Sequence, residues 1–203
     1  MGQKIAAIGL GSMGYGMAMS CLRAGHVVYG FDVVAEQMAA FRAAGGAEGA
    51  LSDIAGEIDA AVVVVLNAAQ VETVLFGADG IVPNLRPGAV VLACATVPPT
   101  FAREMAARCT EHGVHYLDAP ISGGSVKAAA GQLSIMAAGT PEAFAAADAA
   151  LAATAETVFR LGDAAGAGSA MKAVNQLLAG VHIATMAEAL TFGMTQGVDP
   201  KTF

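Results

Sequence analysis

The chain has 203 residues, of which 56% are hydrophobic and only 13% charged, and its net charge is −7. A typical soluble domain is about a quarter charged, so either the core is large or some apolar surface meets a partner. The acidic balance and the lack of any basic cluster argue against nucleic acid and anionic membrane as partners.

That length suffices for one sizeable core, or for one domain with an appendage. Cys21, Cys94 and Cys109 are odd in number and lie within apolar segments, which fits buried thiols in a reducing cytoplasm. No metal site is expected from His112 and His115. No uninterrupted apolar run approaches the ~18 residues that span a bilayer, so a soluble protein is expected. The apolar start after Lys4 reads as a first strand and not as a signal peptide.

From the N-terminus, Lys4–Ile8 reads as a strand, followed by a turn made of Gly9, Leu10, Gly11, Ser12, Met13 and Gly14. A helix to Arg23 comes next, then Gly25 and a strand over residues 26–32 that closes on Asp32. In that setting the glycines form a dinucleotide-binding fingerprint. Gly9 permits the tight turn, Gly11 lets backbone amides approach a pyrophosphate, and Gly14 allows helix-to-strand packing. Asp32 falls where an acid can bind a ribose diol. A Walker-type phosphate loop is excluded, since no Gly-Lys-Ser/Thr follows.

Helix and strand then alternate. Helices are expected near 35–44, 70–76, 98–112 and from Pro141, and strands at 60–66, 89–93, 114–118, 133–138 and near 157–160. The pattern predicts a Rossmann-type doubly wound, mostly parallel α/β sheet over residues 1–164. In such sheets ligands bind beyond the carboxyl ends of the strands. Asp32, Asn67 after Leu66, Thr96, and the turn Ser122-Gly123-Gly124 all fall there and form a rim around one crevice.

Residues 167–196 read as one long helix, opening a segment 165–203. Its apolar residues, among them Met171, Val174, Leu177, Val181, Met186 and Phe192, run nearly all the way round, so one Rossmann sheet cannot cover it. Lys172, Asn175 and Gln176 share one face of this helix and can project into one pocket. An amine isolated in so apolar a helix reads as half buried and functional, the alternative being a solvated polar patch.

The turn at 8–14, the segment Asp118-Ala-Pro-Ile-Ser-Gly-Gly124, Gly131-Gln-Leu133 and the Gly168-x-x-x-Lys172-x-x-Asn175 helix together resemble the β-hydroxyacid dehydrogenase family, which includes 3-hydroxyisobutyrate dehydrogenase. The resemblance covers essentially the whole chain. It implies that the glycine turn and Asp32 hold NAD, that Leu66 and Asn67 touch its adenosine side, and that Thr96 lies near the nicotinamide ribose. Ser122, Gly123 and Gly124 would bind a substrate carboxylate, Lys172 would be the general acid/base, and Asn175, with Gln176 beside it, would orient a small hydroxy-acid substrate.

Gln176 departs from the family's usual second asparagine, and the run from Gln176 to Ala184 resembles the four-carbon sugar-acid branch typified by L-threonate dehydrogenases. The resemblance also implies a further all-helical C-terminal domain after Pro200, so the segment 165–203 reads as its truncated start and the exposed helix as a seam for a homodimer or larger homo-oligomer. Two other readings use the same residues. One is a non-catalytic NAD-binding fragment that self-associates; the other is a semialdehyde or imine reductase of the same family.

Overall fold

The computed structural model describes residues 2–203. Five parallel strands form the central sheet: β1 (Lys4–Ile8), β2 (Val27–Phe31), β3 (Ala60–Val63), β4 (Val90–Ala93) and β5 (His115–Asp118), in the order β2-β1-β3-β4-β5. Outside β2, a single parallel bridge from Tyr29 to Ala47 stands where a doubly wound sheet carries a further strand. Helices α1 (Gly14–Arg23) and α7 (Pro141–Thr154) pack on one face through Met17, Cys21, Phe144 and Leu151. Helices α4 (Ala68–Phe76) and α5 (Pro99–Glu111) cover the other through Val71, Leu75, Met105 and Cys109. Both faces being covered, β3 and β4 are buried at every residue, which is why they read as unbroken apolar runs. Between β2 and β3 lie α2 (Ala35–Ala43) and the short α3 (Leu51–Ile54).

A second sheet of three strands, β6 (Ile121–Ser122), β7 (Leu133–Ala137) and β8 (Ala155–Arg160), continues the first. The strand β7 runs antiparallel to β6, and an antiparallel bridge from Asp118 to Ala138 joins the two sheets. Burial raises the thiols of Cys21, Cys94 and Cys109 to about 12, so all three stay protonated at neutral pH.

Two expectations need correction. The strand expected over 60–66 ends at Val63, because residues 64–66 turn aside to border the crevice above Gly9. The stretch after Ser122 is more than a turn. Gly123 and Gly124, with φ of 138° and 77°, reverse the chain into helix α6 (Gly124–Ala130), which Gly131 ends in the left-handed conformation. Helix α8 (Ala167–Thr195) is long and apolar enough by average composition to cross a bilayer, although polar residues interrupt its apolar runs.

Only the first turns of α8 are packed, with Gly168, Ser169 and Lys172 buried, whereas Leu177, Ile183 and Phe192 are 67%, 72% and 68% exposed. Gly168 explains how closely the helix start approaches the sheets. A Cβ there would lie 2.3 Å from the Met136 carbonyl oxygen and 2.6 Å from that of Asp118. Gly180, in the same helix, has nothing within 4 Å of the same position. Gly168→Ala is therefore expected to destabilise the fold by about 1–3 kcal/mol through overpacking. Gly180→Ala should instead stabilise it by about 0.5–1 kcal/mol through helix propensity. Urea denaturation of the two variants checks this, and equal effects would contradict the packing assigned to Gly168.

Candidate functional site

The glycine turn lies between the carboxyl end of β1 and the start of α1. Gly9 has a φ of 92°, and a Cβ on it would meet the Val64 carbonyl oxygen at 2.2 Å. A Cβ on Gly14 would lie 1.8 Å from the Gly9 oxygen, so only glycine allows the helix to start this close to the turn. Gly11 is different, with no atom within 4 Å of its Cβ position, and its backbone faces open space. Met13, at the N-cap of α1, makes no side-chain hydrogen bond, and the first turn carries no acid. The Tyr15 amide donates to the Gly11 carbonyl at 2.9 Å, and the remaining first-turn amides and the helix dipole are left for an anion.

Asp32 ties this turn to β2. Its Oδ2 accepts a hydrogen bond from the Leu10 amide at 2.6 Å and its Oδ1 one from the Val34 amide at 2.9 Å. A carboxylate has about four acceptor sites, so capacity for ribose hydroxyls remains. Beside it opens a crevice of about 510 Å³, bordered by Gly9, Gly11, Asp32, Val33, Leu66 and Val74. Val33 and Leu66 are 102% and 85% exposed, side chains that an adenine-sized ring would cover. The sequence reading missed Val33 and Val74; an apolar residue straight after the acid that follows β2 was the available signal. Asn67 caps α4, accepting from the Gln70 amide at 3.0 Å, while Gln70 accepts from the Leu66 amide at 2.8 Å. This reciprocal pair fixes the far wall of the crevice. Thr96 is exposed beyond the end of β4.

The second group of residues is mounted on α6 and α8. Helix α6 is clasped to α1: a Cβ on Gly16 would meet the Ala129 nitrogen at 2.7 Å, and the Ser20 hydroxyl donates to the Ala128 carbonyl at 3.0 Å. Arg23 adds a hydrogen bond to the Ala129 carbonyl. The turn of Ser122, Gly123 and Gly124 is therefore fixed to the helix that starts at the dinucleotide turn.

Lys172 projects from α8 toward that turn. It is 8% exposed, and its Nζ donates to the Ile121 carbonyl at 2.8 Å, one residue before Ser122. Burial pushes its amine below the ordinary 10.5. Asn175 is half buried and Gln176 exposed, on the same face one turn further on. The three polar residues expected to share one pocket are thus divided, with Lys172 buried and Gln176 exposed. Asp118 and Ser169, which sequence reasoning did not place in the site, are buried at the start of α8 and hydrogen-bonded to each other at 2.6 Å. An acid closing a strand and a serine in the first turn of a later helix were visible in the sequence, but their pairing was not.

The family model for the NAD binding domain of 6-phosphogluconate dehydrogenase matches residues 4–162. That for the NAD-binding segment of NADP-dependent 3-hydroxyisobutyrate dehydrogenase matches residues 166–203 and so includes α8, which accounts for that apolar helix as part of a dehydrogenase fold. The chain is 48% identical to the L-threonate dehydrogenase of Cupriavidus necator, over 98% of its own length and 68% of that protein's. It is 37% identical to the NAD-dependent L-serine dehydrogenase of Pseudomonas aeruginosa, over 98% and 67%. A solved structure of 3-hydroxyisobutyrate dehydrogenase from Salmonella typhimurium superposes with a TM-score of 0.89 at 44% identity, covering 97% of this chain and 69% of that one. The chain spans about two thirds of the length of the curated relatives it matches. With its NAD(P)-type turn, its crevice and its long helix α8, it belongs to the 3-hydroxyisobutyrate dehydrogenase family of β-hydroxyacid dehydrogenases.

Proposed function

We propose that the chain provides the dinucleotide-binding domain, residues 1–164, and the site-bearing helix segment, residues 165–203, of an NAD-dependent dehydrogenase of a small hydroxy acid. A four-carbon sugar acid such as threonate is the first candidate and 3-hydroxyisobutyrate the second. The observation that carries this reading is the buried Lys172 amine, hydrogen-bonded beside the Ser122 turn at the carboxyl end of a dinucleotide-binding sheet. The 48% identity to a threonate dehydrogenase supports the order of the candidates. Solved imine reductases are 20–22% identical and share the fold alone.

The residues have the chemistry this requires. Bound in the crevice, the nicotinamide dinucleotide would accept the hydride from the carbinol carbon, or return it in reduction. The Ser122 hydroxyl and the Gly123 and Gly124 amides would hold the carboxylate, with Asn175 and Gln176 orienting the short chain. A neutral Lys172 that donates one N–H to the Ile121 carbonyl keeps a lone pair for the hydroxyl proton, and in reduction its ammonium form returns that proton. Burial favours the neutral form by penalising the charged one, which brings the base closer to working pH.

Lys172→Met should lower turnover by about 10²–10⁴ while leaving NAD affinity unchanged. Steady-state assay of wild type and variant on a panel of threonate, 3-hydroxyisobutyrate, serine and uncharged alcohols tests both assignments. Near-normal turnover in the variant would remove Lys172 from the chemistry, and activity confined to uncharged alcohols would remove the carboxylate site.

Asp32 would repel a 2′-phosphate, and residues 33–38 hold no arginine to receive one. Preference for NAD over NADP is expected, and Asp32→Ser should narrow it. Titration with both cofactors decides, and equal or tighter NADP binding by wild type would overturn the preference.

Lys172 also makes stability depend on pH. Its pKa is lower in the folded chain than the ordinary 10.5, so between those values the unfolded chain binds more protons and stability rises with pH. The cost of the buried charge is therefore largest below the folded pKa and vanishes toward 10.5. In Lys172→Met that term is gone. Urea melts at increasing pH should show the stability difference shifting in favour of wild type, whereas a difference constant with pH would contradict the burial of the charged amine.

A further inference from the structure

Helix α8 starts without a cap of its own. Its N-cap residue is Gly166, in the left-handed region at a φ of 106°, with no side chain to satisfy the first-turn amides. The cap comes from the end of β5. Asp118 Oδ2 accepts from the Gly166 amide at 2.8 Å and from the Ser169 amide at 2.9 Å, and Oδ1 accepts from the Ser169 hydroxyl at 2.6 Å. Asp118 is 1% exposed and Ser169 fully buried, so among the described residues these three donors are the carboxylate's hydrogen-bond partners, at the positive end of the helix.

The next contact between the same two segments is that of Lys172. Asp118 holds Ser169 and the Ile121 carbonyl holds Lys172, so three residues separate the rungs on each segment and each rung joins residues 51 apart. On α8 a step of three residues keeps both rungs on one face. Gly168 lies just before the first rung, against the Met136 and Asp118 carbonyls, which leaves the helix no room to move toward the sheets.

Resting on the acid/base reading of Lys172, we propose that Asp118, acting through Ser169, is a positioning residue that sets where the Lys172 amine stands relative to the Ser122 turn. The charge is not the working feature. The same positions would accept an asparagine whose Oδ1 takes both amides and whose Nδ2 donates to the Ser169 hydroxyl, since a hydroxyl can accept as well as donate. An alanine offers none of these bonds and leaves the helix start uncapped.

Asp118→Ala, Asp118→Asn and Ser169→Ala therefore separate geometry from charge. Each is assayed for kcat and KM on the best hydroxy acid, for NAD affinity, and for labelling of Lys172 by an amine-acylating reagent relative to the exposed Lys201. Displacing a catalytic group by about 1 Å can cost about 10²-fold in rate. Asp118→Ala should lose kcat on that scale with NAD affinity kept, and its Lys172 should label faster. Asp118→Asn should restore kcat to within about fivefold of wild type, with Lys172 shielded again. Ser169→Ala keeps the two amide bonds, should fall between them, and carries the test if Asp118→Ala does not fold.

Unchanged Lys172 labelling in folded Asp118→Ala and in Ser169→Ala would overturn the proposal, whatever the rate does. So would Asp118→Asn behaving as badly as Asp118→Ala. Faster labelling with undiminished kcat would uphold the positioning of Lys172 and instead overturn its acid/base role.

Discussion

Everything distinctive about this chain depends on how close α8 comes to the sheets at its first turn. The bare Gly168 permits the approach and the Asp118 carboxylate fixes it. An Asp buried without partners would be costly, about 3–5 kcal/mol once a partner is taken away. Three donors converge on it instead, two of them amides that would otherwise be orphaned at a buried helix start. One contact thus solves two desolvation problems, and the helix it anchors carries Lys172 one turn later.

The crevice and the Ser122 turn beside Lys172 come from distant parts of the chain, yet they are mechanically joined. Helix α1 begins at the dinucleotide turn and presses its Gly16 and Ser20 against α6, which begins at the Ser122 turn. A Cβ at Gly16 would strike the α6 backbone, so the distance between the two turns is set by backbone contact and not by a flexible side chain. Hydride transfer is sensitive to such distances, which makes a stiff link between the two turns physically useful. On the opposite side, the Asn67 and Gln70 cap holds Leu66 at the crevice wall.

The parallel sheet was legible because buried strands such as β3 and β4 read as unbroken apolar runs, and because Gly9 and Gly14 have a single steric explanation each. Lys172 was legible as the one amine in an apolar helix. Less visible was α6, since Gly123 and Gly124 look like the end of structure although they only reverse the chain before a helix-forming run. Asp118 was quoted within a motif but given no role, because its partners lie 48 and 51 residues away and no local pattern announces a cap supplied by another strand. Averaged along its length α8 is apolar enough to span a bilayer, although polar residues from Ser169 to Thr195 interrupt its apolar runs.

A crystal structure with NAD and a four-carbon hydroxy acid bound tests the central claim most directly. The account predicts the nicotinamide beside Thr96, the substrate carboxylate on the Ser122 to Gly124 turn, and Lys172 Nζ within about 2.6–3.2 Å of the carbinol oxygen. A bound hydroxyl served by another group, with Lys172 still directed only at the Ile121 carbonyl, would contradict it.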